Sequence, residues 1–117
     1  MLTLGQVHGG LAQGIGQAML EHTVFDADSG QMLSASFMDY ALPRADDLPS
    51  FAGHLDPSVP TVSNLLGVKG AGQAGCMSAP QTIMSAILDA LRPLGVKHLD
   101  MPATPQAVWQ AIQAARK

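Results

Sequence analysis

The chain has a single cysteine, Cys76, among 117 residues. That excludes an internal disulfide framework and any cysteine-based zinc site. Aromatic residues are scarce, and the six basic residues (Arg44, Lys69, Arg92, Lys97, Arg116 and Lys117) are scattered. With no basic stripe and almost no stacking platform, nucleic-acid binding is not expected. No run approaches the roughly 18 apolar residues of a membrane span, and the N-terminus lacks a charged stretch followed by an apolar core. A soluble, reducing, cytoplasmic setting is the resulting expectation. Charged residues make up 13%, against roughly 25% in ordinary globular chains. So little charge suits either a bland compact monomer or a piece that sits inside something larger. No internal repeat or low-complexity tract is present.

Hydrophobic residues make up 47%, enough for a core. The length fits one domain over residues 1–117. Residues 5–21, GQVHGGLAQGIGQAMLE, place Val7, Leu11, Ile15, Ala18 and Met19 at helical spacing. Gly9, Gly10, Gly14 and Gly16 fall inside that stretch, each costing about 1 kcal/mol against alanine. Close packing of a glycine face against another backbone or a ligand is the expected compensation. Residues 24–38 read as a hairpin around the turn-forming DADSG, and 39–50 as an irregular crossing. Short strands are expected at 51–55 and 96–100. A helix is expected at 78–92, with Ser78 as cap, Pro80 in the first turn and Ile83, Met84, Ile87, Leu88 and Leu91 on one face; Pro93 and Gly95 stop it. Thr104-Pro105 opens a last helix with Val108, Ile112 and Ala115 inward and Trp109 as a core anchor. The fold class read from this pattern is α+β: helices packed on a small, partly antiparallel sheet, with a glycine-rich loop.

That loop, Gly67–Gly75, reads GVKGAGQAG and contains G-x-G-x-x-G, the dinucleotide fingerprint. In a dinucleotide fold the helix starts within the glycines, so that its N-terminus faces the pyrophosphate. Here such a helix would carry Pro80 in its interior, at a cost of about 3 kcal/mol or more. A helix starting at Ser78, with the glycines as a loop, is the better reading. The loop then either cradles a ligand with its amide N–H groups or passes tightly beneath another strand.

Four stretches in order, GQVHGGLAQGIGQAMLE, SFMDYALPRADDLPSF, GVKGAGQAG and HLDMPATPQAVWQAI, resemble signatures of the molybdenum hydroxylases. That group includes xanthine dehydrogenase, aldehyde oxidase and carbon monoxide dehydrogenase. The resemblance covers nearly the whole chain and is to the C-terminal end of the large, molybdopterin-binding subunit. It implies oxidative hydroxylation of a carbonyl or heterocyclic carbon, with molybdopterin cytosine dinucleotide and molybdenum as cofactor. It implies the remainder of the large subunit, and FAD and iron–sulfur subunits, as partners. It carries Gln13 and Gly14 over as cofactor-approaching residues, and Gly70, Ala71 and Gly72 as the backbone lining the cofactor. In GVKGAGEAG, the usual family form, a glutamate follows as general base. Gln73 stands there instead, and an amide cannot accept that proton. Leu65 replaces an expected proline, which puts the loop's stiffness in question, and Cys76 replaces a threonine. The family's upstream segments are not among these residues, so Met1 is read as an internal start, a truncated reading frame or the start of one piece of a split subunit.

Two functions follow. The first is the C-terminal part of a molybdenum hydroxylase, inactive alone for want of the base. The second is a catalytically silent α+β module that acts by self- or subunit association. The isolated chain is expected to hold no cofactor, and substrate is not specified. His8, His22, His54 and His98 lack metal-ligand spacing and are expected in solvent or in local hydrogen bonds. Cys76 is expected to be buried and inert. Asp46-Asp47 is expected to be a solvated face, and Lys69 to meet either a phosphate or a carboxylate.

Overall fold

The structure, a computed structural model, describes residues 1–116; Lys117 lies outside them. Helix α1 spans Leu2–Met19, longer at its start than the pattern predicts. It buries Gly10, Gly14, Gly16 and Ala18. The apolar residues Val7, Leu11 and Ile15 are half-buried beside them. The helix therefore docks through its smallest side chains, which lets other backbone come close. It ends as the N–H groups of Leu20 and Glu21 both donate to the Gly16 carbonyl, at 2.9 and 2.8 Å.

Helix α2 spans Ala79–Leu91, with Pro80 in its first turn and Ala79, Pro80, Met84 and Leu91 buried. Ser78 sits at the cap position, but its side chain makes no capping bond; only its carbonyl is used, accepting from Thr82 N–H at 2.9 Å. A tight turn at Arg92–Leu94 and a left-handed Gly95, φ 86°, stop the chain as predicted. Helix α3 spans Pro105–Ala115 and is capped by Thr104, whose Oγ1 accepts from Ala107 N–H at 3.2 Å. No residue of α3 is buried. Trp109 is 61% exposed, so it is not a core anchor. It follows Val108 by one residue and so lies about 100° round the helix from that half-buried side chain.

The small core is Ala18, Ala79, Met84, Leu91, Val96 and Ala103. It lies where α1 meets α2 and where the chain returns before α3, with Ala103 N–H donating to Ala18 carbonyl at 2.7 Å. No helix among the described residues is long and apolar enough to cross a membrane.

The expected sheet is absent, and the α+β assignment is corrected to a mainly helical fold. Among the described residues no strand forms, only one antiparallel bridge, Phe25 to Met32. Around it Asp26 N–H reaches Gln31 carbonyl and Leu33 N–H reaches Val24 carbonyl, both at 2.8 Å. The ladder stops there because Val24 N–H donates to Ser34 Oγ at 2.8 Å, a side chain taking the place of a strand partner. A lone hairpin is marginal without a third strand. Residues 51–55 and 96–100 show no backbone hydrogen bonds at all among the described residues.

The radius of gyration is 18.2 Å, whereas a compact domain of this length has about 13 Å. The accessible surface is 8909 Å², against about 6,000 Å² expected for a folded monomer of this mass. Much apolar surface is left uncovered.

Candidate functional site

Three glycines of α1 are contact points for other parts of the chain. A Cβ on Gly10 would lie 2.8 Å from Cys76 N and 2.9 Å from Gly75 Cα. A Cβ on Gly75 would collide with the Val7 carbonyl oxygen and lie 2.9 Å from Leu11 N. The exit of the glycine loop is thus laid backbone to backbone on α1. One turn later, a Cβ on Gly14 would lie 2.5 Å from Ala79 Cβ, at the start of α2. Gly16 lies under Pro43 and the Glu21 carboxylate. Gly9 is different: nothing lies within 4 Å of its would-be Cβ. The predicted tight packing therefore holds at Gly10, Gly14 and Gly16.

The Glu21 carboxylate also accepts a 2.6 Å hydrogen bond from the Tyr40 hydroxyl. That bond, ahead of burial and the carboxylate's charge, raises the Tyr40 pKa above the usual tyrosine range. It straps the segment carrying Pro43 across the end of α1. Nothing in the sequence links Glu21 to Tyr40, since the pair is made by chain return and not by spacing.

The glycine loop itself is open. Gly67 has φ 66°, and its would-be Cβ meets Pro60 Cβ at 2.8 Å. Gly70 and Gly72 have neither positive φ nor any atom within 4 Å of a would-be Cβ. A tight crossing does not explain these two glycines. Ala74 N–H donates to Ala71 carbonyl at 3.3 Å, and the N–H groups of Cys76 and Met77 and the Cys76 thiol converge on Gln73 carbonyl at 3.2–3.3 Å. Among the described residues, the amides of Gly70, Ala71, Gly72 and Gln73 find no protein acceptor. The loop turns into α2 only at Ala79, as Pro80 requires. The dinucleotide geometry, with a helix starting inside the glycines, is not present.

Gly14 is buried, Ala71 half-buried, and Gln13, Gly70, Gly72 and Gln73 exposed. The structure brings Gly14 against α2 and the loop exit against Gly10, one turn from Gln13. No hydrogen bond joins Gln13 to Gly70–Gln73 among the described residues. The Gln73 side chain has no acid beside it in the loop.

Asn64 anchors the turn before the loop. Its Oδ1 accepts from Leu66 N–H at 3.1 Å and Val68 N–H at 3.2 Å, and its Nδ2 donates to Val68 carbonyl at 3.0 Å. Stiffness that a proline at position 65 would supply comes here from an asparagine side chain. Asparagine bonding its own backbone two residues on is a turn signal readable in sequence.

His8 departs from expectation. Its Nε2 is enclosed without a hydrogen-bond partner, and its ring leans on Phe51 with centroids 5.7 Å apart. His98 pairs locally with Asp100 at 2.9 Å, as expected. Asp46 and Asp47 are exposed on a short turn, and Cys76 is half-buried. Among the described residues no group of three or more His, Cys, Asp or Glu is placed to hold a metal ion.

Comparison with known proteins gives this geometry a context. Residues 1–49 match the molybdopterin cofactor-binding domain family. The chain is 42% identical over 111 residues to the nicotine 6-hydroxylase large subunit of Paenarthrobacter nicotinovorans, covering 93% of this chain and 13% of that one. It is 37% identical over 114 residues to the carbon monoxide dehydrogenase large chain of Hydrogenophaga pseudoflava, covering 97% and 14%. The crystal structure of quinoline 2-oxidoreductase from Pseudomonas putida 86 superposes with a TM-score of 0.86 at 38% identity, over 97% of this chain and 14% of that one. The chain thus spans about one-seventh of the length of these relatives. On this combined agreement of sequence and fold, the chain belongs to the molybdenum hydroxylase family and corresponds to a segment of its molybdopterin-binding large subunit.

Proposed function

We propose that this chain supplies the C-terminal, cofactor-embracing part of a molybdenum hydroxylase large subunit, acting in oxidative hydroxylation of a carbonyl or heterocyclic carbon. One observation carries the reading. The amides of Gly70, Ala71, Gly72 and Gln73 are unpaired, beside two glycines that nothing in the chain requires. Such a run of donors fits an anionic or hydrogen-bond-accepting group brought close to the backbone. Gln13, next to the Gly14 contact with α2, lies exposed on the helix that carries this loop and offers an amide to the same group. The molybdenum cofactor, as its cytosine dinucleotide, would supply the redox chemistry when bound. The residues named here bind and orient it.

Gln73 takes the general-base position and carries no base, so the chain in this form is catalytically silent. A cytoplasmic assembly with the rest of a large subunit and with FAD and iron–sulfur subunits is the working context. The isolated chain holds no cofactor. The exposed, acid-free surroundings of Gln73 also favour a second reading, a silent module that works only through association.

The test replaces the matching segment of the nicotine 6-hydroxylase large subunit by residues 1–117 and measures bound molybdenum and pterin. Cofactor retained by the hybrid and lost with Gly72→Val supports the cradle. Gln73→Glu in the hybrid should then raise turnover by about 10²–10⁴-fold. A hybrid that folds without molybdenum ends the cofactor reading and leaves the module.

A further inference from the structure

Residues 57–68, PSVPTVSNLLGV, carry no charged side chain. Within them Val62, Leu65 and Leu66 are 101%, 107% and 84% exposed. Side chains this exposed usually belong to a floppy loop. This loop is not floppy in its bonding. Besides the Asn64 contacts, Thr61 N–H donates to Gly67 carbonyl and Gly67 N–H donates to Asn64 carbonyl, both at 3.2 Å. Thr61 and Ser63 hydroxyls bond at 2.9 Å. Pro60 packs against Gly67. The backbone is closed on itself, and its apolar side chains are held outward in water.

From this we infer that residues 61–68 form a preorganised apolar knob that inserts into an uncharged, apolar pocket on the remaining body of a molybdenum hydroxylase large subunit. The inference rests on the family reading above, but not on cofactor binding. The occupant follows from area and from fold. The surface beyond that of a folded monomer of this mass amounts to about 3,000 Å². Covering it would bury about 6,000 Å² counted over both partners, the scale of permanent interfaces, which bury about 2,000–5,000 Å² or more in all, whereas weak contacts bury much less. The same fold recurs at a TM-score of 0.86 within a chain of which it forms 14%. A fold so open is found there as one part of a much larger body. The absence of charge from 57–68 argues against a polar or transient partner. A loop ordered before binding loses less entropy on docking. The knob runs straight into Gly67–Gly75, so its insertion fixes the entry of the glycine loop, as Gly75 on Gly10 fixes its exit.

The test has two arms. In the first, the full chain is co-expressed with the nicotine 6-hydroxylase large subunit lacking its matching segment, and capture is measured. Leu66→Asp should weaken capture by about tenfold or more, Asn64→Ala should weaken it less, and Lys97→Glu, remote in sequence from the knob, should leave it unchanged. In the second, Leu66→Asp is placed in the hybrid subunit carrying residues 1–117. It should lower the hybrid's Tm by several degrees while leaving the helical signal of the isolated chain intact. Weakened capture supports the knob, and where no capture is seen a lowered hybrid Tm does so. Capture insensitive to Leu66→Asp, or no capture together with an unchanged hybrid Tm, overturns it. Association without bound molybdenum would sustain the knob and remove the cofactor reading, so the two fail separately.

Discussion

Tyr40 is the only tyrosine in the chain, so its titration can be followed without interference. Its hydroxyl donates to Glu21, and the bond favours the protonated form. A group whose pKa is raised on folding contributes stability below its unfolded value, and the contribution is lost as pH rises through the folded one. The strap across Gly16 should therefore be intact at neutral pH and release as pH climbs above 10, the ordinary tyrosine value. Ultraviolet titration of the phenol checks this. The midpoint should lie above 10 in the parent chain and fall back toward it in Glu21→Ala. An unshifted parent midpoint would mean that the strap is not formed in solution. At the same scale, the proposed loss of the base at Gln73 would turn on a single atom: an amide nitrogen in place of a carboxylate oxygen keeps the shape but cannot accept the proton.

Neighbouring glycines of α1 make opposite predictions. Gly9 has open space around its would-be Cβ, so Gly9→Ala should stabilise the helix by about 1 kcal/mol through propensity alone. Gly10 faces the Gly75–Cys76 backbone at under 3 Å, and backbone cannot swing aside as a side chain can. Gly10→Ala should destabilise by about 1–3 kcal/mol, the cost of overpacking. Urea unfolding followed by helical circular dichroism reads both, and equal effects would refute the backbone contact. These elements also mark what a sequence can disclose. Thr104-Pro105 and Pro80 place helix starts by local chemistry, and both starts lie where that chemistry puts them. Pro80 also separated the glycine loop from a dinucleotide fold. That the expected sheet would not form was not legible, because strands depend on partners elsewhere. Val24 gives its donor to Ser34, and residues 51–55 and 96–100 meet no partner among the described residues. The Glu21–Tyr40 strap was hidden for a similar reason, being a contact between segments with no common period. The glycine cluster of α1 signalled close packing, but not which glycines would be packed.

At the scale of the whole molecule the chain is divided between a small closed region and a long open one. Ala18, Ala79, Met84, Leu91, Val96 and Ala103 form the closed part. Residues 52–60 are all exposed, as is most of 61–74. Local stability follows buried contacts, so opening free energies should differ sharply between these regions. Amide hydrogen exchange on the isolated chain should show the slowest amides in the second half of α1 and in α2. Residues 51–60 and Gly70–Gln73 should exchange nearly as fast as unstructured chain. Leu66 and Val68 should be slower than these, because Asn64 Oδ1 accepts from both. Within the hybrid large subunit the order should change. If the open surface is covered there, protection should rise across 57–68 and at Gly70–Gln73, whereas α1 and α2 gain comparatively little. Protection appearing at 57–68 but not at Gly70–Gln73 would assign the covered surface to docking and leave the loop amides without an acceptor. Fast exchange at both, in a hybrid otherwise folded, would mean that the open face faces solvent in the assembly, and the excess area would then need another explanation.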